Sequence, residues 1–133
     1  MNYDIGNLEN ELKKLSNGEK AKIYQRFFKT GKGEYGEGDV FLGLDVPTQR
    51  SLAKKYKGLP LEDLQKLLSS KFHESRSVAL MILVLKFSKA TAEEQEKIVN
   101  FYLKNTKNIN NWDLVDLSAY HVLGSWLLEK DRQ

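Results

Sequence analysis

The chain has 133 residues, the size of one domain, and a chain of this length buries roughly two-thirds of its unfolded surface when it folds. Hydrophobic residues make up 41% and charged residues 29%, as in an ordinary globular protein. The absence of cysteine excludes disulfides, cysteine metal ligands and cysteine nucleophiles. The first residues do not resemble a secretory signal, and the longest apolar run, residues 78–85, is too short to span a bilayer. We therefore expect a cytoplasmic protein with one domain, residues 1–133.

Positive charge is concentrated in residues 20–57. This segment contains nine basic and four acidic residues, whereas the whole chain has a formal net charge of +3. Such an excess can form a surface for a polyanion. A solvated face of lysine-rich helices is the alternative, and charge alone favours that alternative.

Apolar residues recur at helical spacing along almost the whole chain. A first helix is predicted over residues 5–15. Ser16 and Glu19 form a capping-box pattern that predicts the start of a second helix. After a glycine-rich stretch, Pro47 suits the first position of a third helix, which should end near Tyr56.

The second half of the chain continues the helical pattern. Pro60 suits the start of a helix, and Thr91 and Glu94 form another capping-box pattern before a further helix. The helix predicted over residues 76–87 is strongly apolar and should be the most buried. The remaining predicted helices cover residues 61–68 and 110–129.

These elements predict an all-α fold of about seven helices. Successive antiparallel pairs, residues 61–87 and 92–129, recur at about the spacing of HEAT-type repeats. Such repeats stack into a solenoid, an α-α superhelix with a concave face. An ordinary helical bundle is the alternative that the pattern leaves open.

The glycine-rich stretch contains Gly31-Lys32-Gly33-Glu34-Tyr35-Gly36, which has the G-x-G-x-x-G pattern of a dinucleotide-binding turn. That turn requires a buried strand before the glycines and a helix directly after them. Here a helical pattern precedes the glycines, and no Gly-Lys-Ser/Thr of a P-loop follows them. The sequence therefore argues against nucleotide binding.

His73 and Glu74 invite a metal-site interpretation. The only other histidine is His121, and no cysteine is present to complete a zinc site. We therefore expect no metal and no cofactor. His73 and Glu74 are interpreted as helix-start residues, and Arg76 as an ion-pair partner.

Four separate stretches, in the same order, resemble the DNA alkylation repair glycosylases of the AlkD family. They are Phe28 to Gly43, Val46-Pro47, Phe72-His73-Glu74-Ser75-Arg76 and Asn110-Asn111-Trp112-Asp113-Leu114-Val115-Asp116. The resemblance covers residues from about 20 to 127. It implies a solenoid of HEAT-like repeats that holds duplex DNA, and hydrolysis of the N-glycosidic bond of N3- and N7-alkylated purines.

The resemblance also implies roles for individual residues. It assigns the catalytic carboxylate to Asp116 and the tryptophan that lies against the deoxyribose to Trp112, and we expect a structural role for Asp113. The glycine-rich stretch becomes a flexible connection whose backbone amides and lysines can approach a phosphate. The candidate DNA-binding residues are Lys29, Lys32, Arg50, Lys54 and Lys55.

Trp112 and Asp116 suit this chemistry because residues four apart share one face of a helix. An alkylpurine cation is already a good leaving group and needs no general acid. A carboxylate can stabilise the sugar as it becomes oxocarbenium-like. At about 4 Å and an effective dielectric constant near 20, that attraction is of order 4 kcal/mol.

The resemblance further implies that the chain corresponds to the amino-terminal part of a longer repeat domain. An apolar flank of the last predicted helix would then form an open solenoid end, where a homodimer could form. That flank comprises Leu123, Trp126 and Leu127. The alternative to a glycosylase is a non-catalytic helical-repeat module that binds DNA or protein through its concave face.

Overall fold

The computed structural model describes residues 3–27 and 40–105, which contain six α-helices. The helices are α1 (Ile5–Lys14), α2 (Gly18–Phe27), α3 (Val46–Lys55), α4 (Leu61–Leu68), α5 (His73–Lys89) and α6 (Ala92–Lys104). The described residues contain no β-strand beyond one isolated parallel bridge between Val40 and Phe72. The predicted all-α fold is therefore confirmed, and the seventh predicted helix lies outside the described residues. None of the helices in the described part of the chain is long and apolar enough to cross a membrane.

The central element is α5, against which α1, α3, α4 and α6 all pack. Twelve of its 17 residues are buried, which makes it the most buried of the six described helices, as predicted. The helix begins at His73, after an extended Phe72, which confirms His73 and Glu74 as helix-start residues, whereas the apolar stretch alone predicted a helix only from Arg76. Its first turn is polar, and hydrophobic periodicity therefore gave no sign of it. Buried leucines of α1, α3 and α4 contribute to the same core as α5.

The helices α3 and α5 lie side by side and run in the same direction. At their N-terminal ends, the backbone N–H of Leu44 donates to the Glu74 carboxylate at 3.1 Å. At their C-terminal ends, Lys54 and Lys86 line one groove. The short α4 connects the two helices and also packs on α5. Parallel neighbours joined by a returning helix are consistent with an α-helical solenoid.

The N-terminus of α2 differs in detail from the predicted capping box. The Ser16 hydroxyl donates to the Lys13 carbonyl at 2.7 Å, so it belongs to the end of α1. The Asn17 side-chain oxygen instead accepts from the backbone N–H groups of Glu19 and Lys20, at 3.1 Å and 3.0 Å. Asparagine is as effective as serine at this position, and here it directly precedes the helix. The prediction of a helix was confirmed, but its capping residue was wrong.

Two other predicted helix starts, those of α3 and α6, hold more closely. The side chain of Asp45 caps α3 by accepting from the backbone N–H of Thr48 at 2.9 Å. Pro47 is consequently the second residue of this helix rather than the first. The capping box of Thr91 and Glu94 is confirmed at the start of α6.

Candidate nucleic-acid interface

Glu74 fixes the N-terminal end of α5 to the segment that leads into α3. The residue is fully buried, and its carboxylate accepts backbone N–H groups from Leu42 at 2.9 Å, Gly43 at 2.8 Å and Leu44 at 3.1 Å. A buried carboxylate with three such donors is satisfied without a cation. Glu74 is indeed a helix-start residue, and its structural work is to set the position of α3 relative to α5.

The same segment is held on its other side by the turn between α1 and α2. Gly43 has a φ of 87°, and a Cβ there would lie 2.0 Å from the Asn17 carbonyl oxygen and 2.8 Å from the Ala21 nitrogen. The backbone N–H of Asn17 donates to the Leu42 carbonyl at 2.8 Å. Residues 42–44 therefore pass between the first two helices and α5, in a space that only glycine fits.

The neighbouring polar residues of α5 also have structural contacts. The His73 ring stacks on Phe41 with ring centroids 4.5 Å apart, and its backbone N–H donates to the Val40 carbonyl at 2.8 Å. Arg76 donates from Nη1 to the Ser70 carbonyl at 3.0 Å, and burial lowers the pKa of its guanidinium. Within residues 3–27 and 40–105, no three histidine or acidic side chains are arranged to hold a metal ion.

Three of the five predicted DNA-binding residues lie on α3 or at its end. Arg50 and Lys54 are both exposed and, being four residues apart, share one face of the helix. Lys55 points to a different neighbour, because its Nζ lies 2.7 Å from Oε1 of Glu11 on α1. The structure thus brings Arg50 and Lys54 together on a solvent-facing surface and places Lys55 in an ion pair. Their contact with DNA stays a prediction.

Glu11 forms a small polar cluster with Lys55 and Tyr56. Its carboxylate accepts from the Lys55 ammonium and from the Tyr56 hydroxyl, and these hydrogen bonds lower the pKa of Glu11 below its ordinary value. Burial, together with the hydrogen bond to Glu11, raises the pKa of Tyr56 to about 12. At neutral pH Glu11 is therefore ionised and compensates the charge of Lys55.

Five lysines converge where α3 and α5 end. Lys54, Lys57, Lys86 and Lys89 line one groove, whose apolar wall is Leu85. An adjoining groove shares two of these lysines and adds one from α6. We call this set the lysine cluster: Lys54, Lys57, Lys86, Lys89 and Lys97.

The charge of the lysine cluster is poorly compensated. Among the described residues that line the two grooves, Glu94 is the single acid. Its carboxylate is already an acceptor for the Thr91 hydroxyl at 2.9 Å, in the cap of α6. A surface with this excess of positive charge attracts polyanions.

The sequence analysis identified Lys54 as a candidate but missed the rest of the lysine cluster. The basic excess of residues 20–57 suggested one surface, yet Lys20 lies 3.6 Å from Asp45 and Lys55 pairs with Glu11. Two cations of the cluster, Lys54 and Lys57, come from that segment, and the other three come from α5 and α6. The signal that could have found them is the pair of lysines in the last turn of the otherwise apolar α5.

The other predicted site residues lie outside the described residues, and their roles stay predictions. These are Lys29 and Lys32 of the glycine-rich stretch, Trp112, Asp113 and Asp116 of the acidic motif, and the apolar flank of Leu123, Trp126 and Leu127.

Comparison with known proteins extends to residues that the structure does not describe. No protein of curated function and no solved structure gives a match. The family model described as "DNA alkylation repair enzyme" matches residues 8–133. The match includes all of α2 to α6, the lysine cluster and the segment with Trp112 and Asp116. The chain therefore belongs to the family of DNA alkylation repair enzymes.

Proposed function

We propose that this protein is a DNA glycosylase of alkylation repair, which hydrolyses the N-glycosidic bond of cationic N3- and N7-alkylpurines in duplex DNA. The observation that carries the proposal is the family match over residues 8–133, because it extends through the motif of Trp112 and Asp116. The uncompensated lysine cluster supports a polyanionic substrate.

In the proposed reaction, the electron pair of the glycosidic bond moves into the purine and neutralises its positive charge. Positive charge develops on the sugar, where the Asp116 carboxylate stabilises it and the Trp112 indole lies against the ring. Water adds to the anomeric carbon and loses a proton. Because the leaving group is already cationic, the reaction needs no general acid, metal or organic cofactor.

The described helices provide the scaffold for this proposal. We assign HEAT-like repeats to the solenoid, with α3 and α5 as equivalent helices of successive units. Arg50 and Lys54 on α3 would contact phosphates, with Lys29 and Lys32 as further contacts. Glu74 and Gly43 fix the position of α3 relative to α5. A substitution at either residue would therefore change DNA binding only by changing the fold.

A second candidate function is a helical-repeat module that binds DNA without hydrolysing the glycosidic bond. The lysine cluster supports this candidate, because phosphate binding by lysines requires no catalytic carboxylate. The two functions share the substrate and differ in base release.

The test is base release from a duplex containing 7-methylguanine by the protein and by its Asp116→Asn variant. We expect Asp116→Asn to lower the rate by about a thousandfold, the equivalent of roughly 4 kcal/mol, while DNA binding and circular dichroism stay unchanged. Glu96→Gln, in an exposed position of α6, is the matched carboxylate control and should release base at the normal rate. Equal rates for Asp116→Asn and the unsubstituted protein would remove Asp116 from its proposed role.

A further inference from the structure

We propose that the lysine cluster binds phosphates of the DNA backbone independently of damage, and so holds the protein on undamaged and damaged duplex alike. This inference rests on the proposed function in one respect: it takes DNA as the substrate. The cluster comprises Lys57, Lys86, Lys89 and Lys97 in addition to Lys54, which the sequence had already suggested.

The first support is that these lysines lack an ion pair and also line the same grooves; other lysines without an ion pair in the described part of the chain, such as Lys13 and Lys14, do not line them. Lys20, Lys55 and Lys66 each lie within 4.0 Å of a carboxylate oxygen. No such ion pair forms at any lysine of the cluster within the described residues. Converging like charges repel one another, and an anion bound between them relieves that repulsion.

The second support is the continuity of the two grooves. Lys86 and Lys89 line both, so the positive surface runs without a break from the end of α3 across α5 to α6. A single small anion would occupy one groove. A chain of phosphates spaced along a DNA strand can occupy both, and it gains affinity from the counterions that it releases.

The third support is the shape and composition of the surface. Lys86 is half-buried, and its neighbours in the grooves are apolar: Leu61, Leu85, Ala90 and Ile98. Lysine stems pack on apolar surface while their ammonium groups stay in water. Such a surface offers point charges for phosphates but no donor-acceptor pattern for reading base edges, so binding should not depend on sequence or on the damaged base.

The location allows the cluster to be changed without disturbing the anchor at Glu74. Lys86 and Lys89 lie in the last turn of α5, whereas Glu74 lies in its first turn. A helix of 17 residues is about 25 Å long at 1.5 Å per residue. Substitutions at the C-terminal end therefore leave the contacts of residues 42–44 intact.

The experiment compares Lys86→Glu/Lys89→Glu with the control Lys13→Glu/Lys14→Glu. Both pairs lie in the last turn of a helix, so they change the net charge and the helix-dipole interaction in the same way. Binding to an undamaged 20-base-pair duplex, and to the same duplex with one 7-methylguanine, is measured by fluorescence anisotropy over a range of salt concentrations.

We expect Lys86→Glu/Lys89→Glu to weaken binding to both duplexes by the same factor, about tenfold or more near 100 mM salt. The slope of log K against log salt concentration should fall by about 1.8, the loss of two phosphate contacts. The α1 control should change affinity about twofold or less. Equal effects of the two pairs, or an effect on the damaged duplex alone, would overturn the inference.

Two further measurements distinguish the failure of this inference from unfolding of the variant and from the failure of the proposed glycosylase activity. If thermal melting shows that the Glu pair unfolds, Lys86→Gln/Lys89→Gln replaces it, with an expected decrease in slope of the same sign. Base release by the unsubstituted protein is measured in parallel. Protein that binds through the cluster but releases no base refutes the proposed glycosylase and leaves this inference standing. Protein that releases base with an unaltered binding slope in the variant refutes this inference alone.

Discussion

Glu74→Gln tests the reasoning on which the placement of α3 depends. Oε2 of the buried carboxylate accepts from Gly43 and Leu44, and Oε1 accepts from Leu42. A glutamine of the same shape can place its oxygen at only one of these positions. If that oxygen keeps the two bonds to Gly43 and Leu44, the amide nitrogen faces the N–H of Leu42, donor against donor.

The expected cost follows from these contacts. One buried backbone N–H without an acceptor costs about 1–3 kcal/mol, and each of the other two bonds loses the roughly 1 kcal/mol that distinguishes a charged from a neutral acceptor. We therefore expect the free energy of unfolding to fall by about 3–5 kcal/mol. At about 2.1 cal/mol/K of unfolding entropy per residue, this lowers Tm by roughly 11–18 °C.

The assay is urea unfolding followed by circular dichroism, with Glu96→Gln on the exposed face of α6 as control. The free energy of unfolding of the control should stay within about 0.5 kcal/mol of that of the unsubstituted protein. If Glu74→Gln were equally stable, the cost of burying the charge would cancel its hydrogen bonds, and Glu74 would not be the anchor of residues 42–44.

The same unfolding assay tests three more expectations. Gly43→Ala should lower the free energy of unfolding by about 3 kcal/mol or more, because the new Cβ would overlap the carbonyl of Asn17 at a position with positive φ. Gly58→Ala is the control: no atom lies near the position of its Cβ, so its free energy of unfolding should hardly change. The pKa of Tyr56 is raised to about 12, so the stabilisation from the protonated phenol is complete below pH 10 and is lost as the pH approaches 12. Tyr56→Phe should therefore lose less stability than the unsubstituted protein between pH 10 and pH 12. Asn105→Ala should cost about 2–3 kcal/mol, since this buried amide exchanges hydrogen bonds of 2.7 Å and 2.8 Å with α4.

Much of the fold could be predicted from the sequence because helices are local structures. The stripes of apolar residues predicted all six described helices, and the pattern of Thr91 and Glu94 predicted the cap of α6. The cap of α2 was wrong because Ser16 and Asn17 are equally suitable in sequence, and the backbone geometry at the end of α1 decides between them. The apolar stripe predicted α5 only from Arg76 onward, because the polar first turn of this helix is buried only by tertiary contacts.

The candidate interface could be predicted only in part, because charge compensation depends on residues distant in sequence. Arg50 and Lys54 share a face that helical spacing alone predicts. That Glu11 would bind Lys55, or that α5 and α6 would bring lysines beside Lys54, depends on how the helices pack. The roles of Asp116 and Trp112 come from the resemblance, and they stay predictions; the family match covers both residues.

The most direct test of the central claim is the time course of 7-methylguanine release from duplex DNA under single-turnover conditions, with protein in excess. The account predicts release well above the spontaneous rate of depurination, without added metal or cofactor. Release at the spontaneous rate, from folded protein that binds the duplex, would contradict the glycosylase and leave the helical-repeat module that binds DNA.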